Sequence, residues 1–316
     1  MNPTPRPQVY DTYWRFAAER QAIFFRRFRG EDPLWSDDAI LSDYKFCNAY
    51  RASDRVSQFL IRDVISQLRF DGADTLFRIV LFRLFSKVDT WRLLEAAHGP
   101  INVATFDPNA FAETLDRALW RGEAIYTNAF ILCAHNAYGH ARKHRNHLAL
   151  VEAMLRDGLA ARIARAKRLQ EVYDLLLAYP LIGPFMAYQL AIDLNYSELI
   201  DFDENEFTMP GPGAIRGIKK CFADLGNRTM SEIIKEMVAC QEIEFARLGL
   251  RFESLFGRSL HAIDCQNLFC ELDKYARVAF PDLASDRIRI KTRFRAGPHP
   301  IDLFYPPKWG INDRIG

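Results

Sequence analysis

Hydrophobic residues recur at three- and four-residue spacing over most of the chain, which is the period of an amphipathic helix. In residues 52–68 one such stripe carries Val56, Phe59 and Leu60, and Ser53 stands where an N-cap is expected. The same spacing predicts further helices at residues 72–86, 107–120, 146–160, 168–178, 184–195, 230–246 and 263–279. Proline and glycine signals separate these stretches, as expected for turns between helices.

Alternation of apolar and basic residues is confined to residues 287–295, which predicts at most a small C-terminal strand or hairpin. We therefore expect an all-α protein. We place an N-terminal helical lobe at residues 1–121 and a central helical lobe at residues 122–226. The C-terminal segment, residues 227–316, is expected to pack back on the N-terminal lobe.

The composition excludes several classes of protein. With 316 residues, 49% of them hydrophobic, and a formal net charge of +2, the chain is too apolar and too balanced to be disordered. It has no apolar run of membrane-spanning length and no signal-peptide core. The six cysteines include no CxxC pair, so neither a disulfide framework nor a zinc knuckle is expected. We expect a soluble, cytoplasmic protein with reduced thiols.

Positive charge is concentrated in two blocks. Residues 140–170 carry eight lysines and arginines against two carboxylates, and residues 287–295 carry five basic residues. Clustered cations gain affinity for nucleic acid by releasing counterions from its backbone. Solvated helix faces and a charged edge strand are the alternatives. The DNA-binding candidates in the first block are Arg162, Arg165 and Arg168.

Four histidines, His135, His140, His144 and His147, raise the question of a metal site. His140 and His144 have the i, i+4 spacing of a helical ligand pair. No carboxylate completes an HExxH pattern and the neighbouring residues are cationic, so we expect no metal.

A hairpin of two helices is predicted around residues 179–183. Pro180 and Gly183 form the turn, and Pro184 is a favourable first residue for the next helix. The N–H groups at such a helix start can hold a DNA phosphate. The segment resembles the hairpin of the helix-hairpin-helix DNA glycosylase superfamily, with Leu181 in place of its first glycine. This resemblance implies a two-lobed helical fold of that type, with Gly183 and Pro184 at the DNA.

The same resemblance implies a catalytic aspartate about twenty residues after the second glycine, and Asp203 occupies that position. A fixed carboxylate there would stabilise an oxocarbenium ion or activate water. A helix N-cap is the alternative role for Asp203. Phe185 stands where lyase-type members carry a lysine, so the resemblance implies a monofunctional enzyme.

Several segments together are similar to the family of the helical domain of 5-hydroxymethyluracil DNA kinase, which also includes predicted α-glutamyl/putrescinyl-thymine pyrophosphorylases. This likeness covers nearly the whole chain and implies work on modified pyrimidines in DNA, as in phages or the bacteria that resist them. The matching segments are residues 33–38, 46–55, 183–189, 201–207, 211–213 and 264–275.

A P-loop is missing from the chain, because no Gly-Lys-Ser or Gly-Lys-Thr occurs in it. ATP-dependent phosphorylation is therefore not expected. The glycine cluster that includes Gly211 and Gly213 is either a loop that approaches DNA, helped by Arg216, Lys219 and Lys220, or a plain turn between helices.

The leading hypothesis is a DNA glycosylase that flips a hypermodified pyrimidine out of phage DNA, such as a glucosylated hydroxymethylcytosine, and leaves an abasic site. The alternatives are a transferase in which an amine displaces pyrophosphate from a 5-methylene-uracil, and a non-catalytic DNA-binding module. No cofactor, membrane or obligate protein partner is expected. The resemblance supplies the candidate base pocket: Asn48, Arg51, Asp54, Gln189, Asn205, Gln266, Asn267, Glu271, Asp273 and Lys274.

Overall fold

The computed structural model describes residues 1–33, 35–66, 70–127, 136–283, 287–290, 292–295 and 302–315. Contacts divide the chain into two compact units. Unit 1 combines Met1–Asp54 with Glu204–Gly316, and unit 2 is Arg55–Asp203. The three-segment division expected from the sequence stays a prediction.

Helices make up almost all of the regular structure, which confirms the all-α class. Two helices of unit 1 begin with proline at their first residue, where the missing N–H costs nothing. Thr229 and Glu232 form a capping box on a third. The helices of unit 1 are α1 Pro7–Phe28, α2 Ala39–Asp43, α11 Pro212–Cys221, α12 Met230–Arg247 and α13 Ala262–Ala279.

Unit 2 is built from shorter helices. Asp107 caps α6 through its carboxylate, and Pro184 begins α10 as the sequence predicted. Ser53, the expected cap at the start of this region, instead lies in a 3₁₀ turn of unit 1, where its hydroxyl bonds the Tyr305 hydroxyl at 2.9 Å. The helices of unit 2 are α3 Arg55–Phe59, α4 Gly72–Phe85, α5 Val88–His98, α6 Pro108–Trp120, α7 Lys143–Arg156, α8 Leu159–Ile163, α9 Leu169–Leu177 and α10 Pro184–Asn195.

The small sheet lies elsewhere than expected. Strand β1, Thr4–Pro5, pairs antiparallel with β2, Phe222–Asp224. The described part of residues 287–295 forms only an isolated bridge, between Arg293 and Tyr44, and Lys291 lies outside the described residues. The described residues of this segment thus contain no strand, which agrees with the expectation of at most a small one.

Helix α13 is the centre of unit 1, and α11 packs directly on it. A Cβ at Gly217 would overlap the backbone carbonyl of Phe269, and one at Gly213 would overlap the Cys270 thiol. These two glycines therefore allow the close approach of two helix backbones. Tyr13 of α1 donates to the Cys265 carbonyl at 3.1 Å on another side of α13.

The core of unit 2 contains a buried ion pair. Arg83 of α4 donates to both carboxylate oxygens of Asp193 of α10, with Nη2 2.9 Å from Oδ1, and both side chains are almost fully buried. Arg78, also buried, donates to the carbonyls of Asp63 and Val64 at the end of a π-helical turn, Leu60–Ile65. The charged groups of Arg83, Asp193 and Arg78 are thus paired, as burial requires.

Five free cysteines lie in unit 1, and burial raises the pKa of each thiol: Cys47, Cys221, Cys240, Cys265 and Cys270. Cys133 lies outside the described residues. No helix among the described residues is long and apolar enough to cross a membrane.

Replacing Gly217 with alanine should destabilise unit 1, because the new methyl group meets the Phe269 carbonyl and the two helices must separate. We expect the free energy of unfolding to fall by about 1–3 kcal/mol. Gly183→Ala is the matched control, since a Cβ there meets nothing within 4 Å, and should cost about 1 kcal/mol or less. Urea unfolding followed by circular dichroism measures both. Equal losses in the two variants would contradict the close packing of α11 on α13.

Candidate functional site

One face of α13 binds the loop that precedes α3. Glu271 Oε2 accepts the Cys47 backbone N–H at 2.9 Å and the Lys274 ammonium at 2.6 Å. Asn267 Nδ2 donates to the Asn48 carbonyl at 3.3 Å. These members of the expected base pocket therefore lie together, and their polar groups hold the loop in place.

The loop is also held from within. Asp54 Oδ1 accepts the Asn48 backbone N–H at 2.9 Å, and Asn48 Nδ2 donates to the Ser53 carbonyl at 2.8 Å. Arg20 of α1 donates to Asn48 Oδ1 at 3.0 Å. Burial raises the pKa of Asp54 to about 6.

A second group of buried charges surrounds the start of α13. Asp264 accepts the backbone N–H of Arg51 at 2.8 Å and that of His261 at 3.0 Å. Glu204 pairs with Arg258 at 2.9 Å, and the Arg258 guanidinium stacks 3.7 Å from the ring centroid of Trp309. Burial raises the pKa of Asp264 to about 6 and that of Glu204 to about 7.

Asp273 faces α11 instead of the loop. Its buried carboxylate lies 3.1 Å from Arg216, 3.0 Å from Lys220 and 2.6 Å from Arg277. Burial alone would raise the pKa of Asp273, but hydrogen bonds from Arg277 and Lys220 hold it below its usual value. Three cations around one carboxylate leave a positive excess at this end of α11.

The other predicted residues of unit 1 also have backbone partners. Gln266 Oε1 accepts the N–H of Gly211, the N-cap residue of α11, at 3.0 Å. Asn205 Oδ1 accepts the Ala262 N–H at 2.9 Å at the start of α13. Lys219 is exposed. DNA contacts by Gly211, Gly213, Arg216 and Lys219 stay a prediction, with Gly213 and Arg216 already packed or paired inside unit 1.

In unit 2 a tight turn joins α9 to α10. Leu181, which stands in place of the expected glycine, adopts a left-handed conformation with φ 72°, so the turn keeps the backbone that glycine would favour. Gly183 is the N-cap of α10. The Tyr179 hydroxyl donates to Asp157 Oδ2 at 3.2 Å, which places the turn beside the start of α8. The guanidinium groups that follow are exposed: Arg162, Arg165 and Arg168, the last of which pairs with Glu171 at 3.3 Å.

Asp203 is exposed and lies in an irregular segment. The next helix begins only at Pro212 with Gly211 as its N-cap, so the N-cap alternative for Asp203 is wrong. Gln189 is buried within unit 2.

The histidine cluster of the sequence separates in the structure. His144 lies 3.0 Å from Asp116, which also binds Arg142 and Arg145, and His147 Nδ1 lies 2.9 Å from the Tyr126 hydroxyl. Burial lowers the pKa of His147 to about 3, so it is neutral. His135 lies outside the described residues. No three His, Cys, Asp or Glu side chains gather as metal ligands within the described ranges.

Sequence reasoning missed several charged residues that complete these clusters, namely Glu204, Arg258 and Arg277, and it named Lys220 only as a cation beside the glycine cluster. Glu204 follows Asp203 directly in an acidic turn, and only the fold shows that Glu204 is buried while Asp203 is exposed. Lys220 and Arg277 lie in helices whose register was needed to place them. Buried carboxylates with raised pKa values can exchange protons near neutral pH, and exposed guanidiniums can bind phosphate.

Fold and site together define an all-α protein with exposed cations beside a helical hairpin in unit 2 and a buried carboxylate network in unit 1. The chain belongs to the family described as "5-hmdU DNA kinase, helical domain", whose profile matches residues 7–285. A protein named "5-hmdU DNA kinase" from Bacillus phage SP10 is 28% identical over 295 residues, which cover 87% of this chain and 46% of that protein. The chain thus spans about half the length of this curated relative. No solved structure matches it significantly.

The prediction of a DNA glycosylase is wrong. The family and the relative are named for a kinase, which transfers a group and does not hydrolyse a glycosidic bond. The predictions of hydrolase activity and abasic-site formation are wrong for the same reason, and the role of Asp203 in that reaction falls with them. The names of the family and of the relative also argue against the expectation that ATP-dependent phosphorylation is not involved. The chain itself nevertheless contains no Gly-Lys-Ser or Gly-Lys-Thr of a P-loop.

Replacing Glu204 with glutamine should change how stability depends on pH. The folded protein keeps a proton on Glu204 up to about pH 7, whereas the ordinary pKa is 4.5, so wild type loses stability as pH rises between these values. The Gln variant cannot titrate there and should gain stability relative to wild type over the same window. Urea unfolding at about pH 5, 6, 7 and 8 measures the difference. Asp203→Asn, at an exposed position, is the control. If stability depended on pH in the same way in wild type and in E204Q, the raised pKa of Glu204 would be contradicted.

Proposed function

We propose that this chain recognises DNA containing 5-hydroxymethyluracil, or a uracil derived from it, for a transferase that modifies the 5-substituent. The glycosidic bond stays intact in such a reaction. The match over residues 7–285 to the helical domain of 5-hmdU DNA kinases supports this substrate. The phage relative carries the same name and is about twice as long.

The single observation that carries a role in DNA binding is the exposed basic surface of unit 2. Arg162 lies in the last turn of α8, Arg165 and Arg168 follow between α8 and α9, and all three are exposed. The turn between α9 and α10 lies beside the start of α8 through Tyr179 and Asp157. Guanidiniums at this surface gain affinity for DNA by replacing condensed counterions.

The start of α10 adds a neutral contact to that surface. Gly183 has open space around its Cα, so a phosphate can approach the backbone N–H groups of the first turn of α10. Contacts of this kind position the strand and carry no sequence information. Recognition of the modified base therefore needs a different set of side chains.

Binding of DNA and binding of the phosphoryl donor can be assigned separately, because the sequence contains no P-loop motif. A P-loop cradles nucleotide phosphates with backbone N–H groups and a lysine, and no Gly-Lys-Ser or Gly-Lys-Thr occurs here. We therefore assign DNA recognition to this chain, and binding of the phosphoryl donor to a P-loop protein or domain outside it.

The amine-transfer alternative is less well supported. This reaction needs cations that stabilise the leaving pyrophosphate, and Arg51, Arg55 and Lys274 are the candidates. Lys274 is bound to Glu271 and the Lys45 carbonyl, and Arg51 is buried, whereas Arg55 is exposed. Lys274 and Arg51 thus make contacts inside unit 1. The amine-transfer reaction remains an outcome that the test below can detect.

The Arg162→Gln/Arg165→Gln variant should bind DNA more weakly than wild type at every sequence. Each lost phosphate contact reduces the slope of log K against log salt by about 0.9, so the slope should fall by about 2. Anisotropy of labelled duplexes with thymine or 5-hydroxymethyluracil at one position, titrated with salt, measures both quantities. Arg15→Gln/Arg251→Gln removes two exposed arginines of unit 1 as the control. An unchanged slope in the first variant would remove this surface from the interface.

Substrate preference is tested on the same duplexes. Wild type should bind the 5-hydroxymethyluracil duplex more tightly than the thymine duplex, and the double variant should keep that ratio. After incubation with ATP and a P-loop kinase partner, mass spectrometry of nucleosides should show a phosphoryl group on the 5-hydroxymethyl oxygen. Equal affinity for both duplexes would overturn the proposed function, and addition of an amine in place of phosphate would favour the alternative.

A further inference from the structure

Trp120, the last residue of α6, is 89% exposed. Trp14 and Trp91 are buried, as is usual for so large an apolar ring. Beside Trp120 on the same helix, Leu119 is 37% exposed. An indole that stays in water at a helix end leaves both ring faces open to a ligand.

Charged residues lie one helical turn before Trp120 and directly after it along the chain. Asp116, one helical turn before Trp120, binds Arg142 at 3.1 Å and Arg145 at 2.7 Å from α7. The side chains of Arg142 and Arg145 are 59% and 30% exposed, so both also face solvent. Arg121 pairs with Glu123 at 2.6 Å. The arginines at this end of α6 outnumber the carboxylates slightly: Arg117, Arg121, Arg142 and Arg145 against Glu113, Asp116 and Glu123.

We propose that Trp120 is a stacking platform for an unpaired nucleobase of the DNA strand, with Arg142 and Arg145 beside it at the phosphates. The proposal rests on the proposed function only in taking DNA as the ligand. Stacking on an aromatic face accepts any base, because every base has a π-face, and cations next to the ring attract the strand that carries it.

A polypeptide partner fits this surface less well than a nucleic acid. The apolar area consists of one indole and part of a leucine, whereas a stable protein interface buries about 800 Å² on each partner and has few charges at its centre. Here Arg142 and Arg145 bind Asp116, one helical turn before Trp120. Charge complementarity therefore favours a polyanion with flat rings.

The test uses the full chain with fluorescently labelled single strands of equal length, one bearing bases and one built of abasic sugar–phosphate units. Trp120→Ala should weaken binding to the base-bearing strand by about tenfold and leave binding to the abasic strand unchanged. Trp120→Phe keeps a ring and should retain most of the affinity. Ile243→Ala, at an apolar position of unit 1 that is 69% exposed, is the matched control and should bind as wild type does.

Intrinsic fluorescence gives a second, independent readout on unlabelled strands. Base stacking should quench part of the wild-type emission, and that part should be missing in Trp120→Phe, which keeps the other four of the five tryptophans. The abasic strand should quench neither protein. Equal losses of affinity on both strands, or none, would overturn the stacking role, and the second result would instead fit a polypeptide partner.

Failure of the proposed function would give a different set of results from failure of the stacking role. Wild type would then bind the thymine and 5-hydroxymethyluracil duplexes equally, while base-dependent quenching of Trp120 persisted. Preference for the modified duplex without quenching of Trp120 would overturn the stacking role alone. Absence of any binding to DNA would overturn both.

Discussion

The carboxylates of α13 are the interaction on which unit 1 depends. Asp264 and Glu271 accept backbone N–H groups of the 45–54 loop, and Asp273 gathers the cations of α11. Removing one partner of a buried charge costs about 3–5 kcal/mol, so each carboxylate requires its partner. Asp264 and Glu271 fix the 45–54 loop, and Asp273 fixes α11, against the same helix. The polar residues of the expected base pocket thus stabilise the fold of unit 1. A contact with a base has to come from polar atoms that these hydrogen bonds do not use.

The helices that the sequence predicted well are those whose local signals agree with their packing. Helices α10 and α12 match the predicted ranges to within one residue, because a proline or a capping box marks the start and an apolar stripe marks the length. Helix α1 was missed, since it buries Arg20 and Gln21 together with its apolar residues and so has no clean stripe. Helix α11 was missed because Gly213 and Gly217 read as a turn, whereas they allow close packing on α13.

The residue types of the candidate site could be predicted from the sequence, whereas the arrangement of their side chains could not. The sequence drew attention to the acidic turn and to the segment at 264–275. The burial of Glu204 beside exposed Asp203, however, depends on contacts that no local pattern contains. The glycosylase prediction failed for a related reason. Likeness to a superfamily defines a scaffold, and the chemistry is set by the groups placed on it.

The five unit 1 thiols described above have a practical consequence. Only the thiolate reacts with alkylating agents, and burial raises the pKa of these thiols and keeps them protonated in the native state. Cys221 and Cys265 are also fully buried, so their modification has to wait for local opening. The positions are spread over α11, α12, α13 and the 45–54 loop. Peptide mapping after a timed pulse of iodoacetamide would therefore report the order in which the segments around α13 come apart, with no engineered label in the chain.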